Sequence, residues 1–140
     1  MIHKFFTIWI FVLVIFHNIS SKFLSLPFLT FIVLFNGLYF SYVNPSKYYI
    51  DYYDSTIIID GYKKIIVDIL FHISPFIFIY LIYGLETFFI NWKVIPSLLL
   101  IYLYNYINNP TDIYRIPINE ITIVSVFTVF LYIFIINLYL

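Results

Sequence analysis

The chain has 140 residues, of which 64% are hydrophobic, 24% aromatic and only 10% charged, and its formal net charge is zero. A soluble domain carries about 25% charged residues, so this chain has too few of them to cover a water-facing surface. The zero net charge supplies no basic field for nucleic acid, and the absence of cysteine excludes disulfides, thiol nucleophiles and thiolate metal sites.

The amino-acid usage is also biased in a way that points to the genome rather than to the fold. Alanine and glutamine are absent, whereas isoleucine, phenylalanine, tyrosine, leucine and asparagine dominate. Most of the abundant residues have AT-rich codons, which indicates an AT-rich genome such as that of a large DNA virus, an organelle, an endosymbiont or a parasite. The abundance of tyrosine is therefore not by itself evidence for chemistry.

Charged residues divide the chain into five long apolar segments, approximately 5–21, 23–43, 64–84, 94–108 and 120–140. Crossing ~30 Å of hydrocarbon takes about 20 helical residues. Backbone N–H and C=O groups cannot stay unpaired in lipid, and continuously apolar runs favour helices over a barrel. The sequence therefore predicts an all-α, polytopic helical membrane protein, with residues 1–140 forming a single integral membrane domain of about five transmembrane helices.

Two of the five segments allow a second interpretation, which would leave four transmembrane helices. The first has the form of a signal peptide, but Asn18 and Ile19 fit a small-residue cleavage site poorly, which favours an uncleaved helix. The fourth is the shortest and has Pro96 in its first turn, so a re-entrant segment is its alternative to a full crossing.

The distribution of lysine and arginine predicts the orientation of these segments. With five crossings, one side of the membrane carries Lys4, Lys47, Lys63, Lys64 and Arg115, and the other carries Lys22 and Lys93. This excess places the amino terminus on the cytoplasmic or equivalent side of a viral, host or organelle inner membrane.

The segment between the second and third apolar runs is rich in tyrosine. Asn44 and Pro45 form a good helix start, and the residues after them place four tyrosines on one helical face. We therefore expect a short interfacial helix over approximately 45–54. Asp60 is expected to cap the helix that follows, in preference to forming a hairpin turn with Gly61.

Three residues interrupt the third apolar segment: Asp68, His72 and Pro75. Asp68 and His72 are four residues apart and share one helical face. Pro75 has no N–H to donate to the carbonyl of Phe71, so we expect a kink near this point. A polar pair at this depth should face protein or water rather than lipid.

The polar pair has a structural and a functional interpretation. In the structural one, Asp68 and His72 bond to each other or to polar groups on other helices, for which Asn36, Ser125 and Thr128 are the candidates. In the functional one, the pair relays protons or cations. The structural interpretation is favoured, because one Asp-xxx-His pair is a weak pattern.

No pattern in the chain identifies a reaction or a cofactor. Two ligands are too few for a closed metal site, and a haem held between His17 and His72 has little support. The leading hypothesis is a structural or scaffolding membrane protein, or a small subunit of a membrane complex, with lipid, other membrane subunits or a second copy as partners. The alternative is a small proton or cation transporter or channel component that uses Asp68 and His72.

Overall fold

The computed structural model of the protein describes residues 4–43, 47–52 and 54–139. Most of these residues are helical. The helices are α1 (Phe6–Ile15), α2 (His17–Ser20), α3 (Leu26–Leu38), α4 (Gly61–Val67), α5 (Ser74–Tyr83), α6 (Val94–Ile107), α7 (Pro110–Tyr114) and α8 (Ile118–Tyr139). Strands β1 (Tyr48–Tyr52) and β2 (Ser55–Ile59) form one antiparallel hairpin, and Leu85–Phe88 form a 3₁₀ turn.

Two π-helical segments extend or interrupt these helices. Tyr39–Val43 continues α3, and Asp68–Ile73 joins α4 to α5, so that each set forms one continuous helical element. Three of the elements are long and apolar enough to cross a membrane: Leu26–Val43, Gly61–Tyr83 and Ile118–Leu138. Two shorter apolar helices are Phe6–Ile15 and Val94–Ile107. All five predicted apolar segments are therefore helical, and the mostly helical fold is confirmed.

Helix α3 lies at the centre of the molecule. In Leu26–Val43, which contains α3, 44% of the residues are buried. In the 18-residue apolar stretches of Gly61–Tyr83 and Ile118–Leu138, only 22% are buried. The α3 residues Leu26–Val33 are all buried, and they pack with Ile10 and Val14 of α1, Ile79 of α5 and Tyr132 of α8. Ser25 starts the helix, because its hydroxyl accepts a hydrogen bond from the N–H of Phe28.

The five apolar helices alternate in direction along the chain, as their contacts show. Thr7 lies near His72 while His17 lies near Tyr83, so α1 runs parallel to the α4–α5 element. Ser25 contacts Ser97 at one end of α3, and Gly37 contacts His72 at the other. Helix α8 is antiparallel to α3, with Ser125 beside Asn36 and Tyr132 beside Phe28. We call the end with the β-hairpin and α7 the hairpin end, and the end with Lys93 the opposite end.

The structure corrects the prediction of an interfacial helix over residues 45–54. Residues 48–52 form strand β1, whose register pairs Tyr48 with Ile59 and Tyr52 with Ser55. Tyrosine, isoleucine and threonine favour strands, and pairing with β2 satisfies the backbone groups that an isolated short helix leaves open. The predicted helix start at Asn44 and Pro45 lies outside the described residues. Asp60 does precede α4, but its carboxylate lies 3.6 Å from Lys47 and makes no cap bond to the helix.

Candidate functional site

Asp68 and His72 form a buried pair at the hairpin end. His72 Nδ1 lies 2.9 Å from Asp68 Oδ1, and the two residues are 5% and 1% exposed. A carboxylate only accepts hydrogen bonds, so Nδ1 carries the hydrogen of this contact. The two side chains contact each other and point into the protein.

A third member of this cluster, Tyr48, comes from strand β1. Its hydroxyl donates a hydrogen bond to Asp68 Oδ1 and lies 3.3 Å from both His72 Nδ1 and Ser41 Oγ. Burial, followed by the hydrogen bond to Asp68, raises the pKa of Tyr48 far above its ordinary value. The phenol is therefore fixed as a donor. Tyr48 was not among the site residues expected from the sequence, because the predicted interfacial helix placed it with other tyrosines on one helical face. The strand preference of the tyrosines and isoleucines around it was the signal that could have indicated a different position.

Gly37 of α3 allows the His72 ring to lie directly against the helix backbone. A Cβ atom at this position would come within 2.5 Å of His72 Cγ. The other ring nitrogen, Nε2, faces Thr7 of α1, whose hydroxyl is 3.4 Å away. His72 is thus held between α1, α3 and the hairpin, while its Nε2 makes only a long contact.

Lysine and backbone groups complete the electrostatics of this cluster. Lys64 lies one helical turn before Asp68, is only 8% exposed and donates to the carbonyl of Phe40 at 3.3 Å. Its ammonium group lies 5.1 Å from the centre of the Tyr48 ring. The positive charge of Lys64 offsets the negative charge of the buried Asp68.

Pro75 acts on the backbone and lies outside the side-chain cluster. It is buried at the start of α5, directly after the π-helical segment Asp68–Ile73. Because proline donates no N–H, the regular α-helical bonding of the preceding turn is broken, and π-helical bonding takes its place. The π-helical segment before Pro75 is the turn that carries Asp68 and His72, and the kink expected at this point stays a prediction.

Asn36, Ser125 and Thr128 form a separate network between α3 and α8. Asn36 Nδ2 donates to Ser125 Oγ at 3.2 Å, and the Thr128 hydroxyl lies 2.7 Å from Asn36 Oδ1 and 2.8 Å from the carbonyl of Val124. Sequence analysis named these residues as possible partners of Asp68 and His72. The structure instead pairs them with one another, one residue along α3 from the glycine that contacts His72.

Two further tyrosines, Tyr104 and Tyr114, lie beside the cluster at the same end of the molecule. The Tyr114 hydroxyl of α7 accepts the N–H of Phe6 at 2.9 Å, and the Tyr104 hydroxyl of α6 donates to the carbonyl of Lys4. Burial raises the pKa of Tyr114, and its hydroxyl also has Tyr104 and Thr7 as neighbours. These contacts tie the start of α1 to α6 and α7.

Two cavities adjoin these polar groups. The larger, about 230 Å³, lies between α3, α6 and α8 under the hairpin and α7, and its lining includes Asn36, His72 and Ser125. The smaller, about 130 Å³, lies between α1 and the hairpin, and His72, Tyr48 and Thr7 line it as well as the larger one. At this place Asp68, His72 and the Thr7 hydroxyl follow one another in the order carboxylate, imidazole, hydroxyl. This is the order that lets an imidazole accept a proton from a hydroxyl group.

The opposite end holds a different polar cluster. His17 Nδ1 lies 2.7 Å from the Tyr83 hydroxyl, and Lys93 donates to the carbonyl of Ser21 at 2.7 Å. His17 is ten residues after Thr7, which places it about 15 Å further along the bundle than the residue that contacts His72. The two histidines therefore cannot share one haem iron. Among the residues that the structure describes, no three His, Asp or Glu side chains lie together as metal ligands.

Comparisons with known families, proteins and structures found no match for this chain. No family model matches the chain, and neither a curated protein nor a solved structure is detectably similar to it. The class that the fold itself supports is a small, mostly helical protein whose described residues include three helices of membrane-spanning length and composition, consistent with a membrane location.

Proposed function

We propose that this chain is a multi-pass integral membrane protein that crosses the bilayer with five helices and serves as a structural subunit or scaffold of a membrane complex. The observation that carries the proposal is the inside-out distribution of its side chains. Large apolar residues such as Leu81, Phe127 and Phe130 are 65–74% exposed, whereas Asp68, His72 and Thr128 are at most 5% exposed. Every buried polar side-chain atom among the described residues has a hydrogen-bond partner.

The directions of the helices support α6 as a complete crossing rather than a re-entrant segment. The α4–α5 element and α8 both run from the hairpin end to the opposite end. The connecting chain must therefore return, and α6 is the helix that does so. Its 14 residues span about 21 Å, shorter than the ~30 Å hydrocarbon core, which a bilayer accommodates by local thinning.

The charge distribution supports an amino terminus on the cytoplasmic or equivalent side. Lys4, Lys47, Lys63, Lys64 and Arg115 all lie at the hairpin end, whereas Lys22 and Lys93 lie at the opposite end. Positive residues concentrate on the cytoplasmic side of membrane proteins. The hairpin and α7 are then a small cytoplasmic cap on the helices.

A structural role is favoured over conduction because of where the polar groups lie. The hydroxyl and imidazole groups of Tyr48, His72, Thr7 and Tyr114 form one cluster that reaches from the hairpin to the middle of the α4–α5 element, and their contacts join the hairpin and α7 to α1. They hold elements together rather than line a path between the two ends. The exposed apolar faces of the long helices are available to lipid, to other membrane subunits or to a second copy.

The membrane and subunit parts of this proposal have separate tests. After expression in its native membrane, the protein should resist extraction by alkaline carbonate and should run in a mild detergent as part of an assembly larger than one chain. Release by carbonate would overturn the membrane proposal. Purification as a lone monomer from the mildest detergent that extracts it would overturn the subunit proposal.

A second function, as a proton or cation transporter component, is favoured by one observation: the buried Asp68–His72 pair beside Thr7 and two cavities. Purified protein in liposomes would then carry protons or cations, and Asp68→Asn would abolish the flux. Asp54→Asn, at an exposed position of the hairpin, is the matched control. Equal flux from wild type and Asp68→Asn would exclude this role for the pair.

A further inference from the structure

The larger cavity has a shape and position suited to an amphiphile. Its walls come from α3, α6 and α8, and the hairpin and α7 close it at the hairpin end. Its volume of about 230 Å³ is below the roughly 300–1,000 Å³ of sites that enclose a drug-sized ligand. It can hold a head group and the first carbons of a chain, but not a whole lipid.

The cavity reaches the outer apolar surface between α6 and α8. Leu98 of α6 and Val126 of α8 line it, yet they are 43% and 50% exposed. Residues that face both a cavity and the outside mark a gap in the wall. With α6 and α8 in a bilayer, this gap opens sideways into the hydrocarbon, so a chain can leave the cavity without meeting water.

The polar groups of the lining select a neutral head with a hydrogen to donate. His72 Nδ1 makes the contact with Asp68, so Nε2 is the ring nitrogen left to accept a hydrogen bond, and it faces only Thr7, at the long distance of 3.4 Å. Asn36 Oδ1 accepts a hydrogen bond from the Thr128 hydroxyl, and its second lone pair can accept another. A carboxylate or phosphate head group finds little positive charge here, because the one lysine of the lining, Lys47, lies 3.6 Å from Asp60.

We propose that this cavity binds the head of a neutral, hydroxyl-bearing lipid, with the hydroxyl donating to His72 Nε2 or Asn36 Oδ1 and the hydrocarbon chain passing out between α6 and α8. The proposal rests on the membrane insertion proposed above. In this proposal Asp68 and Tyr48 are positioning residues, because their contacts with His72 fix the tautomer and the orientation of its ring.

Photolabelling with a long-chain alcohol tests this site. The probe is a hexadecanol analogue with a diazirine close to its hydroxyl group, applied to protein purified in phospholipid nanodiscs. Peptide mass spectrometry should locate the label on the cavity walls of α3, α6 or α8. Excess hexadecanol should compete, whereas hexadecane should compete about tenfold less well because it lacks the hydrogen bond. Palmitate, which is charged, should compete no better than hexadecane.

Neighbouring positions on α8 supply a matched pair of variants. Val129→Trp places an indole inside the cavity and should abolish the labelling, whereas Phe130→Trp, at a 67% exposed position, should leave it unchanged. Val126→Trp, at the half-exposed gap, replaces Val129→Trp if the latter fails to fold. Unchanged labelling in the folded cavity variant, or equal competition by hexadecane or palmitate, would overturn the proposal. Carbonate extraction of the same samples reports separately on membrane insertion.

Discussion

Asp68 can lie in the interior because two neighbours reach the same carboxylate oxygen, the Tyr48 hydroxyl and His72 Nδ1. A buried charge without such partners would cost several kcal/mol. The lysine one turn earlier supplies the opposite charge, and it is itself held by a backbone carbonyl. This acid, imidazole and phenol therefore act as one unit, and each depends on the others.

Removing the Tyr48 hydroxyl should therefore destabilise the protein. Tyr48→Phe deprives Asp68 of one donor and should lower the free energy of unfolding by about 1–3 kcal/mol. Unfolding by sodium dodecyl sulfate titration from mild micelles measures this. The control is Tyr49→Phe, whose ring contact with Arg115 survives the change, and which should lie within about 0.5 kcal/mol of wild type. Equal effects of the two variants would contradict the role assigned to Tyr48.

Gly37 should be intolerant of even one added methyl group. In Gly37→Ala the new Cβ would lie 2.5 Å from His72 Cγ, so the ring or the helix must move, at a cost of about 1–3 kcal/mol. The same substitution in a His72→Ala background should cost less, because the clashing ring is gone. A double-mutant cycle of unfolding free energies measures the difference, expected at about 0.5–3 kcal/mol. A coupling free energy of zero between the two substitutions would show that the contact between Gly37 and His72 does not affect stability.

At the scale of elements, α3 organises the molecule through two kinds of contact. Its first half is buried on all sides among apolar side chains, and its second half carries Asn36 and Gly37, which contact α8 and the α4–α5 element. In the bilayer proposed above, dispersion packs the first half, since apolar burial drives no association between helices inside lipid. Hydrogen bonds and close approach at Gly37 then set the register of the second half.

The polar network between α3 and α8 gives a direct test of that register. Thr128→Val keeps the shape of the side chain but removes its hydrogen bond to Asn36, and should cost about 0.6–2 kcal/mol of unfolding free energy. Thr122→Val, on the exposed face of the same helix, should cost almost nothing. Thermal unfolding in detergent compares them. If both variants unfold at the same temperature, the network does not stabilise the packing of the two helices.

At the scale of the whole molecule, the alternating helices and the two ends form a consistent pattern. The hairpin and α7 lie at one end, together with five of the seven lysines and arginines. Ile10 and Val14 of α1 pack against α3, Ser97 of α6 contacts Ser25 at the start of α3, and the Phe6 ring of α1 packs against Tyr104 of α6. The five-helix arrangement thus rests on contacts between helices as much as on their individual lengths.

Accessibility of introduced cysteines should report this arrangement, because the chain has no cysteine of its own. Cysteines at Asp54 and Asn119, both exposed at the hairpin end, should react with an impermeant maleimide from the same side of sealed vesicles. A cysteine at Phe89, exposed before α6, should react only from the other side. Reaction of Phe89→Cys and Asn119→Cys from one side would make α6 a re-entrant segment.

Much of the local structure followed from sequence. The five apolar segments are helices close to their predicted bounds, α6 begins beside Pro96, and Asp60 precedes α4. The contact between Asp68 and His72 was one of the two alternatives that the sequence left open, because a spacing of four places both on one face. These features depend on residues that are near neighbours in the chain, so their physics is contained in a short window.

The features that the sequence could not provide depend on residues far apart in the chain. Whether residues 48–52 become helix or strand is decided by their pairing with β2 and by the cluster that receives Tyr48. Likewise, Asn36 had several possible partners of the right chemistry, and only the packing of α3 against α8 selected Ser125 and Thr128 over Asp68 and His72. Periodicity and apolar length determine which segments become helices; which polar groups meet is decided by tertiary packing, since hydrogen bonds act only within about 3 Å.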